Sequence, residues 1–207
     1  MSRLALSVAV TDSRDDDSAD APTDLTLRPY DARDAAAVWT LHEWALSDAG
    51  TDPADVPGTD DLQRVESAYL DAGGAFLVGV VPADTSPSES ETEDSVDRRP
   101  PETFDGRLAA MGGFVPTESG RAEERSVGDA VELHRMRVAP THQRRGYGRA
   151  VLHALEAAAR DAGVDLVLAT TATRQRAAVE FYPSEGYREV GRSTAGEYEL
   201  VHFEKEL

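Results

Sequence analysis

Apolar positions along this chain fall into two rhythms, a period of two and a period near 3.6. Leu25-Thr-Leu-Arg-Pro-Tyr30 alternates apolar and polar residues and predicts a strand. Ala35, Val38, Trp39, Leu41, His42 and Ala45 follow near helical period, with Asp31 or Asp34 placed to cap the helix. Pro53 and Pro57 punctuate a loop between Gly50 and Gly58. A second helix is expected from Asp60 or Asp61 through Leu62, Val65, Ala68, Tyr69 and Leu70 to Gly73-Gly74. Ala75–Val81, Arg107–Val115 and Val131–Val138 read as strands, and 118–129 as a polar loop. A helix over 146–162, a strand over Val164–Ala169, a helix over 174–182 and two short strands at about 187–192 and 197–205 complete the order β-α-α-β-β-β-α-β-α-β-β. That mixture predicts a single α/β (α+β mixed) domain around a mixed central sheet.

Two stretches break the rhythm. Residues 82–105 hold eight acidic residues, four prolines and four serines, too little apolar surface to offset the entropy of ordering. This is expected to be a disordered acidic insert between neighbouring strands. Residues 1–23 are expected to be a disordered acidic leader, leaving 24–207 as the domain. Leu4–Val10 is apolar but short and runs straight into acidic residues, unlike a secretory signal.

Composition narrows the partners. The 207 residues carry 39 acidic and 21 basic side chains, a net charge of −18, and the only lysine is Lys205. Such a surface repels phosphate backbones, which argues against nucleic acid. It is similar to the acidic, lysine-poor surfaces of proteins from salt-loving archaea, where salt screens carboxylate repulsion over a few ångströms. There is no cysteine, so disulfides, thiolate metal sites and a cysteine nucleophile are excluded. No apolar run approaches a membrane span. A cytoplasmic location, no metal and no membrane partner are the expectation, and a homodimer is left open.

The strongest chemical signal lies at Arg137-Val-Ala-Pro140-Thr-His-Gln143-Arg-Arg-Gly146-Tyr-Gly148-Arg149. A strand ends, Pro140 stops it, and a glycine-containing loop opens a helix carrying Val151, Leu152 and Leu155. Backbone N–H groups at a helix start are unpaired and sit at the positive end of its dipole, a ready anion site. Gly146 and Gly148 let a phosphate approach the backbone. From Glu132 to Arg149 there are five arginines (135, 137, 144, 145 and 149) and one acid, which would focus an anion on an otherwise repulsive surface. A P-loop needs a Gly-Lys-Ser/Thr that is absent. A dinucleotide fold needs a third glycine where Val151 stands.

On these residues the chain resembles the GNAT family of N-acetyltransferases, whose cofactor signature is Gln/Arg-x-x-Gly-x-Gly/Ala. Gln143, Gly146 and Gly148 match it. Gln175-Arg-Ala-Ala178-Val-Glu-Phe-Tyr182 followed by Gly186-Tyr187 resembles the family's later helix, and Glu132-Leu-His-Arg-Met-Arg-Val138 its fourth strand. The resemblance covers about residues 25–206, with the acidic insert as a departure, and suggests haloarchaeal members. It implies a single domain with a sheet of six to seven strands, a bulged and splayed fourth strand, and about four helices. The apolar positions 131, 133, 136 and 138 switch parity once, independently marking a bulge.

The resemblance also implies roles. Acetyl-CoA would be the co-substrate, with its diphosphate on Gln143, Arg144, Arg145, Gly146, Tyr147, Gly148 and Arg149. Its pantetheine would lie along Met136, Arg137 and Val138, near Gln175 and Ala178. Tyr182 is the candidate general acid and shares a helical face with Gln175 and Ala178, although Pro183 is expected to end or kink the helix at Tyr182. Glu132 is the candidate base, with His134 and a water chain as alternatives. His42 and Glu43 are weaker candidates for touching the acceptor. The expected activity is acetyl transfer to a primary amine of a small molecule or amino acid derivative. A non-catalytic acetyl-CoA-binding regulatory module, or acetylation of protein N-termini or lysines, are the alternatives.

Overall fold

The computed structural model describes residues 22–56, 58–83, 99–117 and 128–207. The expected leader lies almost wholly outside these, as do residues 84–98 of the acidic stretch. The end of that stretch is placed: Phe104 lies beneath the guanidinium groups of Arg28 and Arg33, at 4.4 and 3.6 Å from its ring centre, and Asp105 pairs with Arg28 at 2.7 Å.

Seven strands form one sheet: β1 (Thr26–Pro29), β2 (Ala75–Val81), β3 (Arg107–Pro116), β4 (Ala130–Val138), β5 (Leu166–Ala172), β6 (Arg188–Ala195) and β7 (Tyr198–Glu206). Their spatial order is β1-β2-β3-β4-β5-β7-β6. Every neighbouring pair is antiparallel except β4 and β5. That parallel pair requires a crossover, supplied by the helix α2 (Tyr147–Asp161). The other α-helices are α1 (Ala35–Asp48) and α3 (Arg176–Ser184).

The core is split by the sheet. On one face Val151, Leu152 and Leu155 of α2 pack with Leu133, Phe114, Tyr182 and Phe203. On the other, Val38 and Leu41 of α1 pack with Leu62, Tyr69, Phe76 and Met111.

The expected second helix is broken into a 3-10 turn at Thr59–Gln63 and a π turn at Glu66–Leu70. The Tyr69 hydroxyl donates to Asp61 at 2.6 Å. Residues eight apart in a straight α-helix lie ~12 Å apart along its axis, so this bond and the helix exclude each other. The helix expected to end or kink at Tyr182 instead continues through Pro183 to Ser184. The carbonyls of Phe181, Tyr182 and Pro183 find partners in the N–H groups of Glu185, Gly186 and Tyr187, so the proline falls in an already terminating turn.

The bulge and splay in the fourth strand are both present. Met111 faces Arg137 and Gly113 faces His134, so Arg135 and Met136 together oppose Gly112. Arg135 sits at φ 55°, a region that non-glycine residues rarely adopt. It is held there by its Nε, which reaches both Asp61 carboxylate oxygens at 2.9 and 3.1 Å, and by its Nη2, which donates to the Gly58 carbonyl at 2.7 Å. β4 pairs with β5 only over Ala130–Leu133 against Leu166–Ala169. Beyond these residues the two strands are not paired with each other, so a slot opens between 134–138 and 170–172.

Candidate active site

The slot has a mouth, a throat and two faces. The mouth is the start of α2. Gln143 is extended, Arg144 has φ 60° and Gly146 has φ 80°, so the backbone reverses twice before the helix begins. No side chain caps α2 and no acidic residue lies in its first turn, so its first N–H groups have no side-chain acceptor. A Cβ at Gly148 would point between Val138 Cγ2 at 3.5 Å and Phe181 Cζ at 4.0 Å, that is, between the end of β4 and α3. Nothing in the protein forbids that Cβ, and its absence keeps the mouth clear.

The residues expected at the loop differ in their surroundings. Gln143, Arg144 and Arg145 are exposed. Arg145 also borders a basin of about 450 Å³ with Arg99, Arg107, His142 and Asp24. The Tyr147 side chain is buried in the core, donating to Asp24 at 2.6 Å, and only its backbone remains available. Arg149 is paired with Glu185 at 2.8 Å, and His153 approaches the same carboxylate at 3.0 Å. Arg135 is committed to Asp61. Of the five clustered arginines, Arg144 and Arg145 are therefore the exposed cations of the loop. Gln175 starts α3 and accepts from the Thr171 hydroxyl at 3.0 Å, tying α3 to the free end of β5. Ala178 packs against the core on the same side as Tyr182.

In the throat, Tyr182 is buried among Phe181, Tyr187 and Phe203. Burial pushes its phenol up to about 12; the Arg137 charge opposes this and Glu132 reinforces it. The hydroxyl is therefore a protonated donor at neutral pH. Glu132 is also buried. The Thr170 hydroxyl donates to its Oε1 at 3.1 Å, and His134 Nε2 lies 3.8 Å from its Oε2. Thr170 is the first β5 residue past the last β4 pair and sits opposite His202 of β7. His202 Nδ1 is 3.1 Å from the Thr170 hydroxyl, and its Nε2 is 3.0 Å from the Ser193 hydroxyl. Since the single Thr170 proton goes to Glu132, His202 donates through Nδ1, and a hydrogen-bonded chain runs Ser193–His202–Thr170–Glu132. Sequence spacing carries no sign of this chain, because its members meet only through strand register.

The bulge decides which face each β4 side chain takes. Leu133, Met136 and Val138 join the α2 side. Glu132, His134, Arg135 and Arg137 take the α1 side, where His134 meets the Tyr69 ring at 6.4 Å and Arg135 meets Asp61. His42 of α1 is fully buried there, and Glu43 is exposed on the helix's outer surface. Among the described residues no group of three or more His, Asp or Glu is placed to hold a metal ion, and no helix is long and apolar enough to cross a membrane.

Such a site can hold an anion at the mouth, an extended ligand along the unpaired strand edges, and a proton donor and acceptor at the inner end. The sequence model of the Acetyltransferase (GNAT) family matches residues 83–187. No curated protein is significantly similar in sequence. Solved structures are similar in fold. An acetyltransferase of the GNAT family from Staphylococcus aureus superposes with TM-score 0.65 at 13% identity, covering 88% of this chain and 98% of its own. The protein yncA from Salmonella typhimurium, solved with its cofactor acetyl-CoA, gives 0.59 at 19% identity, covering 88% and 94%. The ribosomal-protein-alanine N-acetyltransferase from Brucella melitensis gives 0.56 at 19%, covering 88% and 99%.

Proposed function

Because this chain belongs to the Acetyltransferase (GNAT) family, we propose that it is an N-acetyltransferase that moves the acetyl group of acetyl-CoA to a primary amine of a small molecule or amino acid derivative, by direct attack in a ternary complex. The observation that carries this reading is the β4–β5 slot, with an uncapped helix start at one end and Glu132 and Tyr182 at the other. The residues fit acetyl-CoA. Unpaired strand edges at 134–138 suit an amide-bearing pantetheine arm, and the Gly146–Arg149 amides suit a diphosphate. The bare Gly148 Cα leaves the mouth open.

Acetyl-CoA would supply the acyl group and a thiolate leaving group. Glu132 accepts the proton that the attacking ammonium must lose, directly or through water. The Thr170–His202–Ser193 chain holds Glu132 in place and keeps its Oε1 satisfied. His134, whose Nε2 lies 3.8 Å from Oε2 of Glu132, is the alternative base. Tyr182, kept neutral by burial, gives its proton to the departing sulfur. The acidic, lysine-poor composition suits a cytoplasm rich in salt. Free-thiol release from acetyl-CoA, measured with an amine panel at high and low salt, tests the reading. Turnover with at least one amine is expected. A chain that binds acetyl-CoA and never turns over is the regulatory module instead.

A further inference from the structure

By rotating the alternation of β4, the bulge brings Arg137 onto the same face as Glu132. The two differ in how they are satisfied. Glu132 accepts from Thr170, and Arg135, the other cation of that face, is neutralised by Asp61. Arg137 is half-buried, donates from Nη1 to the Met136 carbonyl at 2.8 Å, and has no partner for its Nε. No carboxylate among the described residues pairs with it. His42, from the helix that packs across β4, is fully buried with neither ring nitrogen bonded to a protein group. Burial and the charges of Arg137 and Arg135 hold its imidazole neutral, down to about 3. The same burial, together with Arg135, lowers Arg137 to about 10, so it remains a cation at neutral pH.

A half-buried guanidinium without a counter-ion and a buried imidazole without a partner are both unfavourable. They occur together on the α1 side of the slot, and the opening at Gly148 faces the α2 side. A ternary complex needs the acceptor to meet the cofactor from another direction, and Arg137, a part-exposed cation of the slot, lies on the α1 side.

Given the acetyl-transfer reading above, on which this step rests, we propose that the acceptor is an amine that also carries a carboxylate, which Arg137 binds with His42 beside it while Glu132 receives the amine. The charges balance one for one: ammonium against Glu132, carboxylate against Arg137. A doubly charged phosphate would leave excess negative charge on a face that already holds Glu132. The carboxylate is a spectator in the reaction. The amine nitrogen forms the new C–N bond and the C–S bond breaks; of the two protons the ammonium gives up, one passes to Glu132 and the other replaces the proton that Tyr182 gives to the departing thiolate.

The test uses α- and ω-amino acids, each beside its own carboxamide, with the full chain. Acetyl transfer is followed by thiol release, and binding of each compound to the protein saturated with CoA is followed by calorimetry. The carboxylates are expected to exceed their carboxamides by about 10- to 100-fold in kcat/KM and in affinity, the size of one lost charge-assisted hydrogen bond. Arg137→Gln should erase that preference through the KM of the acceptor, and Arg137→Lys should restore part of it. Equal use of carboxylates and carboxamides would overturn the proposal and leave acetyl transfer standing. Carboxylate-selective binding without turnover would overturn acetyl transfer and leave the anion site standing. Absence of both overturns both.

Discussion

Two helices begin in this molecule in opposite ways. The turn Ala32–Asp34 that leads into α1 is closed by acids: Asp31 accepts from the Arg33 N–H at 2.9 Å, Asp34 accepts from the Asp31 N–H at 3.0 Å, and Arg28 grips Asp34 at 2.7 and 2.9 Å. α2 begins at a left-handed glycine with no side-chain cap and no acid in its first turn. In a chain with 39 acidic residues a carboxylate cap was readily available. A carboxylate at that position would compete with a phosphate for the same amides. An anion arriving at the turn before α1 would meet carboxylates, and one arriving at α2 would meet amides with no carboxylate among them.

The largest effect should come from closing the open start. Gly148→Glu places a carboxylate in the mouth and should weaken acetyl-CoA binding by more than about a hundredfold, the loss of two or more charge-assisted hydrogen bonds, with thermal unfolding little changed. Position 148 serves better than 146, where φ 80° would strain any side chain. Unaltered calorimetric affinity would erase the distinction between the two helix starts. Next, Tyr182→Phe should lower kcat on the order of 100-fold and leave acetyl-CoA affinity nearly intact. An equal fall in affinity would make the phenol a packing group.

The α1 side predicts a pH-dependent effect on stability. His42 titrates near 6.5 when unfolded and at about 3 when folded. The unfolded chain therefore binds the extra proton first, so this contribution to stability is present above pH 6.5 and lost as pH falls toward about 3. His42→Leu should flatten that part of the acid unfolding profile, and a wild-type profile parallel to the variant's would contradict the buried neutral imidazole. The smallest effect belongs to the closed start: Asp31→Ala should cost ~1 kcal/mol of stability without touching acetyl-CoA affinity.

Much of this was legible in the residues. The parity switch at 133–136 located the bulge because it is a local property of one strand. The glycines and Pro140 located the anion loop for the same reason. What local pattern missed depends on pairing across distance. Thr170 and His202 meet through the β5–β7 register, and Asp61 draws in Tyr69 and Arg135 to break the expected second helix. The arginine cluster also reads differently in space. Five neighbours in sequence become two exposed cations at the loop, two ion pairs elsewhere, and the unpaired Arg137 on the opposite face.

The most direct test of the account is hydrogen–deuterium exchange of the full chain with and without acetyl-CoA. Protection is expected at two places, the amides of 144–149 at the α2 start and those of 134–138 along the unpaired edge of β4, with the α1 start at 32–35 unchanged. Protection that spares both segments, or none at all at saturating acetyl-CoA, would contradict it.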